Sequence, residues 1–571
     1  MKRKGRTARL HTPFEATMPD VPFSDYPRPQ LRRESYLCLN GTWHLSVCEH
    51  GVWRDVGDIR VPFAPQSAAS GVEQTFAKRH TLRYERTVTL PDGFRKNRLL
   101  LHIGAADQMS EVFINGHKVS ECMGGYWPYA VDVTQYWQAG ENRITIDVID
   151  LMDTDIPYGK QREGGGMWYT PISGIWQTVW MESVPSSYVH GLKITPTLDS
   201  VKVEVDGGTY QKRLVVHTED GDIETTFEGN EVTVTVPNPK LWTPETPHLY
   251  RFTLHAGEDT VTSYFALRTV SVGEAGGKSR LLLNGKPYFF HGLLDHGYYS
   301  DGIYLPSIEE GYRSDIRRMK ELGFNMLRKH IKIEPEVFYY ECDRQGMIVF
   351  QDMVNNGRYS FLRDTALPTV GFKRGIRQRG TARSREMFWG FSERTVTHLY
   401  NHPCVCYYTV FNEGWGQYDA DRLYRVLKAS DPTRIWDATS GWFFEHDSDV
   451  DSEHVYFKPV KLKAGDRPLV LSEFGGYSCK IPDHAFNLDK TYGYRYFTDT
   501  AAFEQALIVL YRDEIVPAVK DGLCAAVLTQ LSDVEDETNG LLTYDRQVCK
   551  VDVAAMRAVA EELQAAFLSN A

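Results

Sequence analysis

The spacing of apolar residues differs between the two halves of the chain. Up to about residue 273, short runs alternate apolar and polar side chains, as in 143–148, and turn signals such as Asn115-Gly116 separate them. An alternation with period two is typical of strands that bury one face. This half is therefore predicted to be all-β, with a sandwich over 37–184 and a smaller immunoglobulin-like sandwich over 186–273.

After residue 274, apolar strand-like runs alternate with amphipathic helices, which is typical of a parallel sheet. The predicted strands are 288–294, 325–330, 347–353, 405–413, 434–439, 453–457, 469–473 and 524–531. The predicted helices are 308–322, 334–345, 387–400, 420–428, 502–520 and 551–567. Eight strands are the number that a closed (β/α)8 barrel needs. We therefore predict three domains, over residues 1–185, 186–273 and 274–571.

Composition narrows the class of protein. The chain has 571 residues, which is too many for one compact core. Its net charge of −11 is spread without long runs, so an extended nucleic-acid surface is not expected. Neither a membrane span nor a signal peptide is expected, because no long apolar stretch occurs. The nine cysteines lack metal-ligand spacing. We therefore expect reduced thiols in a cytoplasmic protein.

Two glutamates carry the candidate chemistry. Glu413 and Glu473 each end an apolar, strand-like run, and Asn412 precedes the first of them. A (β/α)8 barrel places its catalytic groups at the carboxyl ends of its strands. Glycoside hydrolysis needs two facing carboxyl groups, one to protonate the leaving oxygen and one to attack or to activate water. The pair therefore predicts a glycosidase site.

Several motifs occur in a familiar order between about residues 25 and 565. They are Leu39-Asn40-Gly41-Thr42-Trp43, Gly124-Gly125-Tyr126-Trp127-Pro128-Tyr129, Ser173-Gly174-Ile175-Trp176-Gln177, Leu241-Trp242-Thr243-Pro244-Glu245 and Leu322-Gly323-Phe324-Asn325-Met326-Leu327-Arg328. With the two glutamate segments, they resemble glycoside hydrolase family 2, the group of β-galactosidases, β-glucuronidases and β-mannosidases. The resemblance implies a sugar-binding jelly-roll β-sandwich, an immunoglobulin-like β-sandwich and a catalytic TIM barrel.

The resemblance also implies roles for individual residues. Glu413 corresponds to the acid/base and Glu473 to the nucleophile of a retaining double displacement, so Glu413 must begin the reaction protonated. Asn412 corresponds to the donor to the sugar 2-hydroxyl. Tyr456 corresponds to the tyrosine that hydrogen-bonds the nucleophile.

Further sugar-binding candidates are expected near the barrel mouth, although each could instead be structural. They are Asp295, Arg328, His330, Trp168, Trp415 and Trp442. The acidic residues 532–537 could hold a cation, but no ligand spacing demands one, so a structural or solvated loop is the alternative. We expect no required cofactor and no protein-ligated metal. Binding of a divalent ion or Na⁺, which some relatives use, is left as an open alternative.

The sequence departs from the family pattern at several positions that recognise the sugar in the relatives. The lysine that β-glucuronidases carry after the eighth strand is absent from Asn539-Gly540-Leu541, and Gly166 stands where β-galactosidases have an aspartate. Thr529 replaces a tryptophan, and one residue rather than two separates Arg328 from His330. Because a carboxylate without a counter-charge is costly to bury, we predict an exo-acting, β-galactosidase-like enzyme for a neutral sugar.

Three alternatives stay open at this stage. A uronidase (β-glucuronidase or β-galacturonidase) could use other cations, and an α-L-arabinosidase would accept a sugar of galactose-like shape. Candidate cations of the long loop over 355–384 include Arg358, Arg363, Lys373, Arg374, Arg377 and Arg379. A non-catalytic carbohydrate-binding protein is the alternative from another class. The expected partner is a small glycoside or oligosaccharide, and relatives suggest a possible homo-oligomer.

Overall fold

The computed structural model describes residues 6–162, 164–369 and 380–570. Two antiparallel β-sandwiches are followed by a parallel β-barrel. The predicted multidomain β and α/β fold is thus confirmed. Four cations of the predicted long loop, Lys373, Arg374, Arg377 and Arg379, lie outside the described residues.

The first sandwich has two antiparallel sheets. The larger contains, in spatial order, Val52–Val61, Gly41–Glu49, Thr81–Thr89, Glu141–Ile149, Met109–Ile114 and His117–Met123, and the smaller contains Leu37–Cys38, Val179–Val184, Arg98–Ile103 and Tyr129–Asp132. Ala106–Asp107 pairs with Gly174–Ile175 beside them. Alternate residues of Gly41–Glu49 are buried, and the two sheets share one core that includes Trp43 and Leu101.

The second sandwich also consists of two sheets. One contains Val189–Pro196, Ser200–Gly207 and Glu231–Thr235, and the other contains Ile223–Glu228, Gln211–His217, Tyr250–Ala256 and Asp259–Phe265. A third, smaller sheet of Val270–Ala275, Lys278–Leu283 and Lys286–Pro287 follows. Its first hairpin spans the predicted domain boundary, with the left-handed Gly276 and Gly277 at the turn.

Eight parallel strands form the barrel. We label them β1 (Phe290–Asp295), β2 (Met326–Lys329), β3 (Ile348–Asp352), β4 (Val405–Asn412), β5 (Ile435–Ser440), β6 (Asp451–Val455), β7 (Leu469–Gly475) and β8 (Leu523–Thr529). The hydrogen-bonded order is β5-β4-β3-β2-β1-β8-β7-β6. Every residue of β4, β5, β7 and β8 is buried. Burial on both faces explains why these strands are nearly continuous apolar runs in the sequence.

Helices cover the outside of the barrel. They are Glu310–Glu321, Glu336–Gln345, Ala382–Leu399, Ala420–Ser430, Thr500–Leu510, Val516–Asp521 and Val553–Leu568. A three-residue helical turn, Leu367–Thr369, lies in the connection that precedes Ala382–Leu399. Short 3₁₀ turns lie at Glu15–Thr17, Ala68–Ser70, Thr134–Tyr136 and Pro482–His484, and a small pair joins Tyr477–Cys479 to Arg495–Phe497. No helix within the described ranges has both the length and the apolar character to span a bilayer.

Two predicted helices are present but differ in detail from the prediction. The single helix expected over 502–520 is divided by a π-turn at Tyr511–Ile515, and Pro517 follows that turn. Proline has no N–H for the helical hydrogen-bond ladder, so a regular helix is interrupted there. The helix expected to begin at residue 387 begins at Ala382, because the Thr381 side chain caps it by accepting from Ser384 N–H.

Candidate active site

The two glutamates predicted from the sequence lie side by side at the barrel mouth. Glu473 belongs to β7, and Glu413 follows the last residue of β4. Glu413 has a left-handed φ of 55°, and its N–H donates to the Ser440 carbonyl at 3.0 Å. One carboxylate oxygen of Glu413 lies within 4.8 Å of one of Glu473. A strained backbone at a functional position is common, because the surrounding fold holds it there.

Glu473 is held as an anion. Its Oε1 accepts from Arg328 Nη1 at 2.9 Å, and its Oε2 accepts from the Tyr456 hydroxyl at 2.5 Å. Burial alone would raise the pKa of Glu473, but His454, Arg328 and His330 outweigh it and lower that pKa to about 2. The side chain is therefore ionised throughout the neutral range.

Arg328 lies beneath the pocket, and its N–H groups donate to other protein groups and not into the cavity. Its Nε donates to Asp352 and its Nη1 to Glu473 and the Ser472 carbonyl. Its Nη2 donates to Asn412 and Ser440. These bonds use all five N–H groups of a guanidinium. Of the two roles left open for Arg328, contact with a sugar hydroxyl and structural support, these bonds favour structural support.

Asn412 has a fixed orientation. Its Oδ1 accepts from Arg328 Nη2 at 2.9 Å and from Ser440 Oγ at 3.0 Å. The carboxamide oxygen is thus engaged below the pocket, and Asn412 also lines the cavity. Its NH₂ group is the part of the amide available to a hydroxyl in that cavity.

His454 on β6 is a residue that the sequence analysis missed. Its side chain is fully buried, and its Nδ1 lies 2.9 Å from Glu413 Oε1 and 3.5 Å from Glu473 Oε2. A bulge in the β6–β7 ladder sets His454 opposite Glu473 itself. A bulge of this kind re-aims a side chain and leaves little trace in a single sequence.

Both glutamates open into a cavity of about 270 Å³. Most of its lining comes from the barrel, but Lys160 and Met167 come from the first sandwich. The other lining residues are Leu294, His296, His330, Thr365, Pro368, Asn412, Trp442, His454, Tyr456, Phe457, Lys458, Tyr492, Tyr494, Thr529, Glu537 and Asn539.

The acidic loop over 532–537 joins the first sandwich to the cavity. Glu535 accepts from Thr170 N–H at 2.7 Å, and Asp536 accepts from Gly166 N–H at 3.1 Å. Glu537 lines the cavity and is 5% exposed. Burial raises the pKa of Glu535 and of Glu537 to about 7. These contacts favour a structural loop over a solvated one.

Two cavity histidines are neutral near pH 7. Burial, reinforced by the positive Lys160, holds the pKa of His330 well below its ordinary value. The same effects, with His330 added, lower the pKa of His296. Asp352 accepts from His330 Nδ1 at 2.7 Å, so the His330 Nε2 is left as an acceptor on the cavity side.

The remaining predicted sugar contacts separate into two groups. Trp442 lines the cavity. Asp295 is instead buried in an ion pair with Lys329 at 2.6 Å, which lowers the pKa of Asp295 against the effect of burial. Trp415 is buried and donates to the Gly357 carbonyl, and Trp168 packs against its ring at 5.2 Å. Asp295, Trp168 and Trp415 thus lie outside the cavity lining.

One cluster could also be considered as a metal site. Glu413, His454 and Glu473 each offer one ligand atom, and these atoms lie within 4.8 Å of one another. Two carboxylates and one imidazole suit a divalent cation. However, Arg328 already neutralises Glu473, and the imidazole already contacts both carboxylates. The nine cysteines are all free thiols and are not part of this cluster.

Comparison with known proteins places the whole architecture in one group. Three family models match: the glycosyl hydrolases family 2 sugar binding domain over 39–185, the glycosyl hydrolases family 2 domain over 188–268, and the family's TIM barrel domain over 276–458.

Curated relatives resemble the chain over part of their length. A β-glucuronidase from Felis catus is 26% identical over 401 residues, which are 62% of this chain and 58% of the relative. A β-galactosidase from Pectobacterium atrosepticum is 25% identical over 72% of this chain and 41% of the relative. The chain therefore spans less than two thirds of the length of either relative.

Solved structures share the fold over nearly the whole chain. A β-D-glucuronidase from Dictyoglomus thermophilum has a TM-score of 0.75 at 19% identity and covers 94% of this chain and 98% of its own. A β-galacturonidase from Eisenbergiella tayi bound to galacturonate has a TM-score of 0.68 at 18% identity. The match covers 94% of this chain and 98% of the galacturonidase chain. Since the three models together cover both sandwiches and most of the barrel, the chain belongs to glycoside hydrolase family 2.

Proposed function

We propose that the protein is an exo-acting retaining β-glycosidase. The observation that carries the proposal is the approach of two carboxylates, Glu413 and Glu473, to within 4.8 Å at the base of a cavity. Retaining glycosidases have their carboxyl groups about 5–5.5 Å apart, whereas inverting ones leave about 6.5–9.5 Å for a water molecule. The shorter separation favours direct attack by one carboxylate on the sugar.

In the first step, Glu473 attacks the anomeric carbon and forms a glycosyl ester. The bond from that carbon to the leaving oxygen breaks, and the oxygen takes the proton of Glu413. Glu473 suits this role because its depressed pKa keeps it ionised. Tyr456 and Arg328 hold its two oxygens, which restricts the rotation of the carboxylate.

In the second step, water attacks the same carbon from the side that the leaving group vacated. Its proton passes to Glu413, now a base, and the bond to Glu473 breaks. Two inversions give net retention, and both glutamates return to their starting protonation states. Asn412 assists both steps if its NH₂ donates to the sugar 2-hydroxyl, a bond that strengthens as positive charge develops on the ring.

The cavity suits the removal of one terminal sugar. Its volume of about 270 Å³ is below the about 300–1,000 Å³ of sites for drug-sized ligands. The first sandwich contributes Lys160 and Met167 to its wall, and Phe457, 65% exposed, lies at its opening. We therefore propose that one ring enters and that the aglycone stays outside.

The sequence around β8 favours a neutral, galactose-like sugar, because Asn539-Gly540-Leu541 lacks a lysine. L-Arabinopyranose has the same ring shape and remains within this class of substrate. Both candidate substrates are neutral, so neither needs a cation in the pocket to bind a carboxylate.

A second candidate, a β-uronide, is favoured by Lys160. Among the residues that the structure describes, none accepts a hydrogen bond or forms an ion pair with its ammonium group, which lies 5.6 Å from the centre of the Trp168 ring. The neighbouring Glu537 has a pKa of about 7, so it neutralises this charge only partly at neutral pH. A half-buried cation without a full counter-charge is a ready partner for a carboxylate. The similar uronidase structures support the same candidate.

The decisive experiment is a panel of 4-nitrophenyl glycosides. It includes β-galactoside, β-glucoside, β-mannoside, β-glucuronide, β-galacturonide and α-L-arabinopyranoside, each tested with the unmodified protein, Glu413→Gln and Glu473→Gln. We expect turnover of at least one glycoside, its loss in both variants, and a product that first appears by NMR as the same anomer as the substrate. Binding without turnover across the panel by the unmodified protein would favour a carbohydrate-binding protein instead.

A further inference from the structure

The imidazole of His454 lies between the two proposed catalytic glutamates, in a space that the fold keeps clear for it. A side chain on Gly441, which has a left-handed φ of 87°, would place its Cβ 2.7 Å from His454 Nδ1. The Trp442 ring packs edge-on against the imidazole at 5.6 Å. With no exposed side-chain surface, the ring cannot turn away from the carboxylates without disturbing β5.

The neighbours of the ring determine its tautomer. Arg328 Nη1 lies 3.4 Å from His454 Nε2, and a guanidinium can only donate. Both Nη1 hydrogens are already donated to Glu473 and the Ser472 carbonyl, and the guanidinium offers no acceptor for an Nε2–H. The lone pair of Nε2 therefore faces this cation, and the hydrogen lies on Nδ1. That hydrogen points to Glu413 Oε1 at 2.9 Å, whereas Glu473 Oε2 is farther away, at 3.5 Å, and already accepts from Tyr456.

We propose that His454 is a positioning residue that selects which oxygen of Glu413 carries the catalytic proton. The inference rests on the proposed function. Because Oε1 accepts from His454 Nδ1–H, the proton of the acid form must sit on Oε2. After that proton moves to the leaving oxygen, the same N–H stabilises the carboxylate until it takes a proton from water. The catalytic proton passes between Glu413 and the leaving oxygen or water, not through the imidazole.

Asparagine and glutamine provide a matched pair of substitutions for this assignment. The amide of asparagine can be placed where His454 Nδ1 lies, and that of glutamine where Nε2 lies, so only His454→Asn retains the donor to Glu413. We expect His454→Asn to keep most of the activity. His454→Gln is expected to lower kcat/KM for a phenyl glycoside about 10- to 100-fold, the size of effect of a lost hydrogen bond to a charged group.

Glycosides with different leaving groups can show whether His454 positions the acid Glu413 or has only a structural role. A 2,4-dinitrophenol leaves without a proton, so kcat/KM for its glycoside should change by less than about threefold in His454→Gln. The values of kcat and KM for that glycoside should fall together, because the base-assisted second step is slowed and the glycosyl ester accumulates. Combined with Glu413→Ala, His454→Gln should give no further loss if it acts through Glu413.

Each contrary outcome has a distinct meaning. Equal losses in the Asn and Gln variants on both aglycones, or additive losses with Glu413→Ala, overturn the positioning role but leave the proposed function intact. Activity that EDTA abolishes and Mg²⁺ restores overturns it as well, since the imidazole would then be a metal ligand beside Glu413 and Glu473. A wild-type protein that hydrolyses no glycoside of the panel overturns the proposed function and this inference with it.

Discussion

Arg328 and Glu473 form a buried ion pair, with Nη1 2.9 Å from Oε1 and the two side chains 2% and 6% exposed. Arg328→Met leaves Glu473 and Asp352 buried without their cation. We expect the free energy of unfolding to fall by about 3–5 kcal/mol, measured by urea denaturation. Arg317→Met removes an exposed pair with Glu310 and is expected to cost less than about 1 kcal/mol. Similar losses in the two variants would contradict a stabilising role for the buried pair.

Tyr456→Phe removes the hydroxyl that donates to Glu473 Oε2. We expect kcat to fall about 10- to 100-fold. The acid limb of the pH–rate profile should move to higher pH, because this hydrogen bond is one of the causes that lower the pKa of Glu473. Tyr494, whose ring stacks on Tyr456 at 4.3 Å, gives the control Tyr494→Phe. An unchanged acid limb in Tyr456→Phe would contradict this role.

Asn412→Ala removes the amide that faces the cavity. If that amide binds the sugar 2-hydroxyl, the variant should lose about 10- to 100-fold in kcat/KM on an ordinary glycoside. It should lose little on the matching 2-deoxy glycoside, which has no hydroxyl to bind. The measurement is a cycle of two proteins and two substrates, and equal losses on both substrates would assign Asn412 to support of Arg328 alone.

Lys160→Met distinguishes the two sugar classes. On a β-uronide we expect kcat/KM to fall about 10- to 100-fold through loss of a charged hydrogen bond, and on a neutral glycoside to change by less than about threefold. Lys458, an exposed lysine that also lines the cavity, provides the matched control Lys458→Met. Equal changes on both sugars, or an equal effect of Lys458→Met, would contradict recognition of a carboxylate by Lys160.

Glu537→Gln should change how stability depends on pH. Burial raises the pKa of Glu537 from 4.5 to about 7. The folded state therefore binds the extra proton, and the stability this provides is complete below pH 4.5 and is lost as the pH rises through 7. We expect the variant to gain stability over the wild type by up to about 3 kcal/mol between pH 5 and 8, measured by urea unfolding. A difference that does not grow with pH would contradict the raised pKa.

The sequence predicted the barrel well because burial on both faces leaves a strong signal. Strands such as β4 and β7 are continuous apolar runs, and each ends near a lone glutamate. The segment predicted as a helix over 502–520 is helical throughout but contains a π-turn, and only Pro517 marks that irregularity in the sequence. Element type was therefore predictable, and the regularity of the element was not.

The residues around the glutamates were harder to assign. Arg328 and Asp295 were expected to face the sugar, but both are buried in ion pairs, since the ends of barrel strands carry structural charges as well as catalytic ones. His454 gave no signal, because its position opposite Glu473 depends on a bulge between two strands. Such contacts join residues far apart in the sequence, and spacing along the chain cannot reveal them.

The loop over 532–537 holds a segment of the first sandwich against the barrel through Gly166 and Thr170. As a result, the proposed catalytic groups and part of the cavity wall belong to separate regions of the chain. Under the proposed function, we therefore expect exchange of residues 160–170 between homologues to alter substrate choice while Glu413, Glu473 and their supports stay unchanged. In an engineered enzyme, this segment is the place to retarget specificity without rebuilding the chemistry.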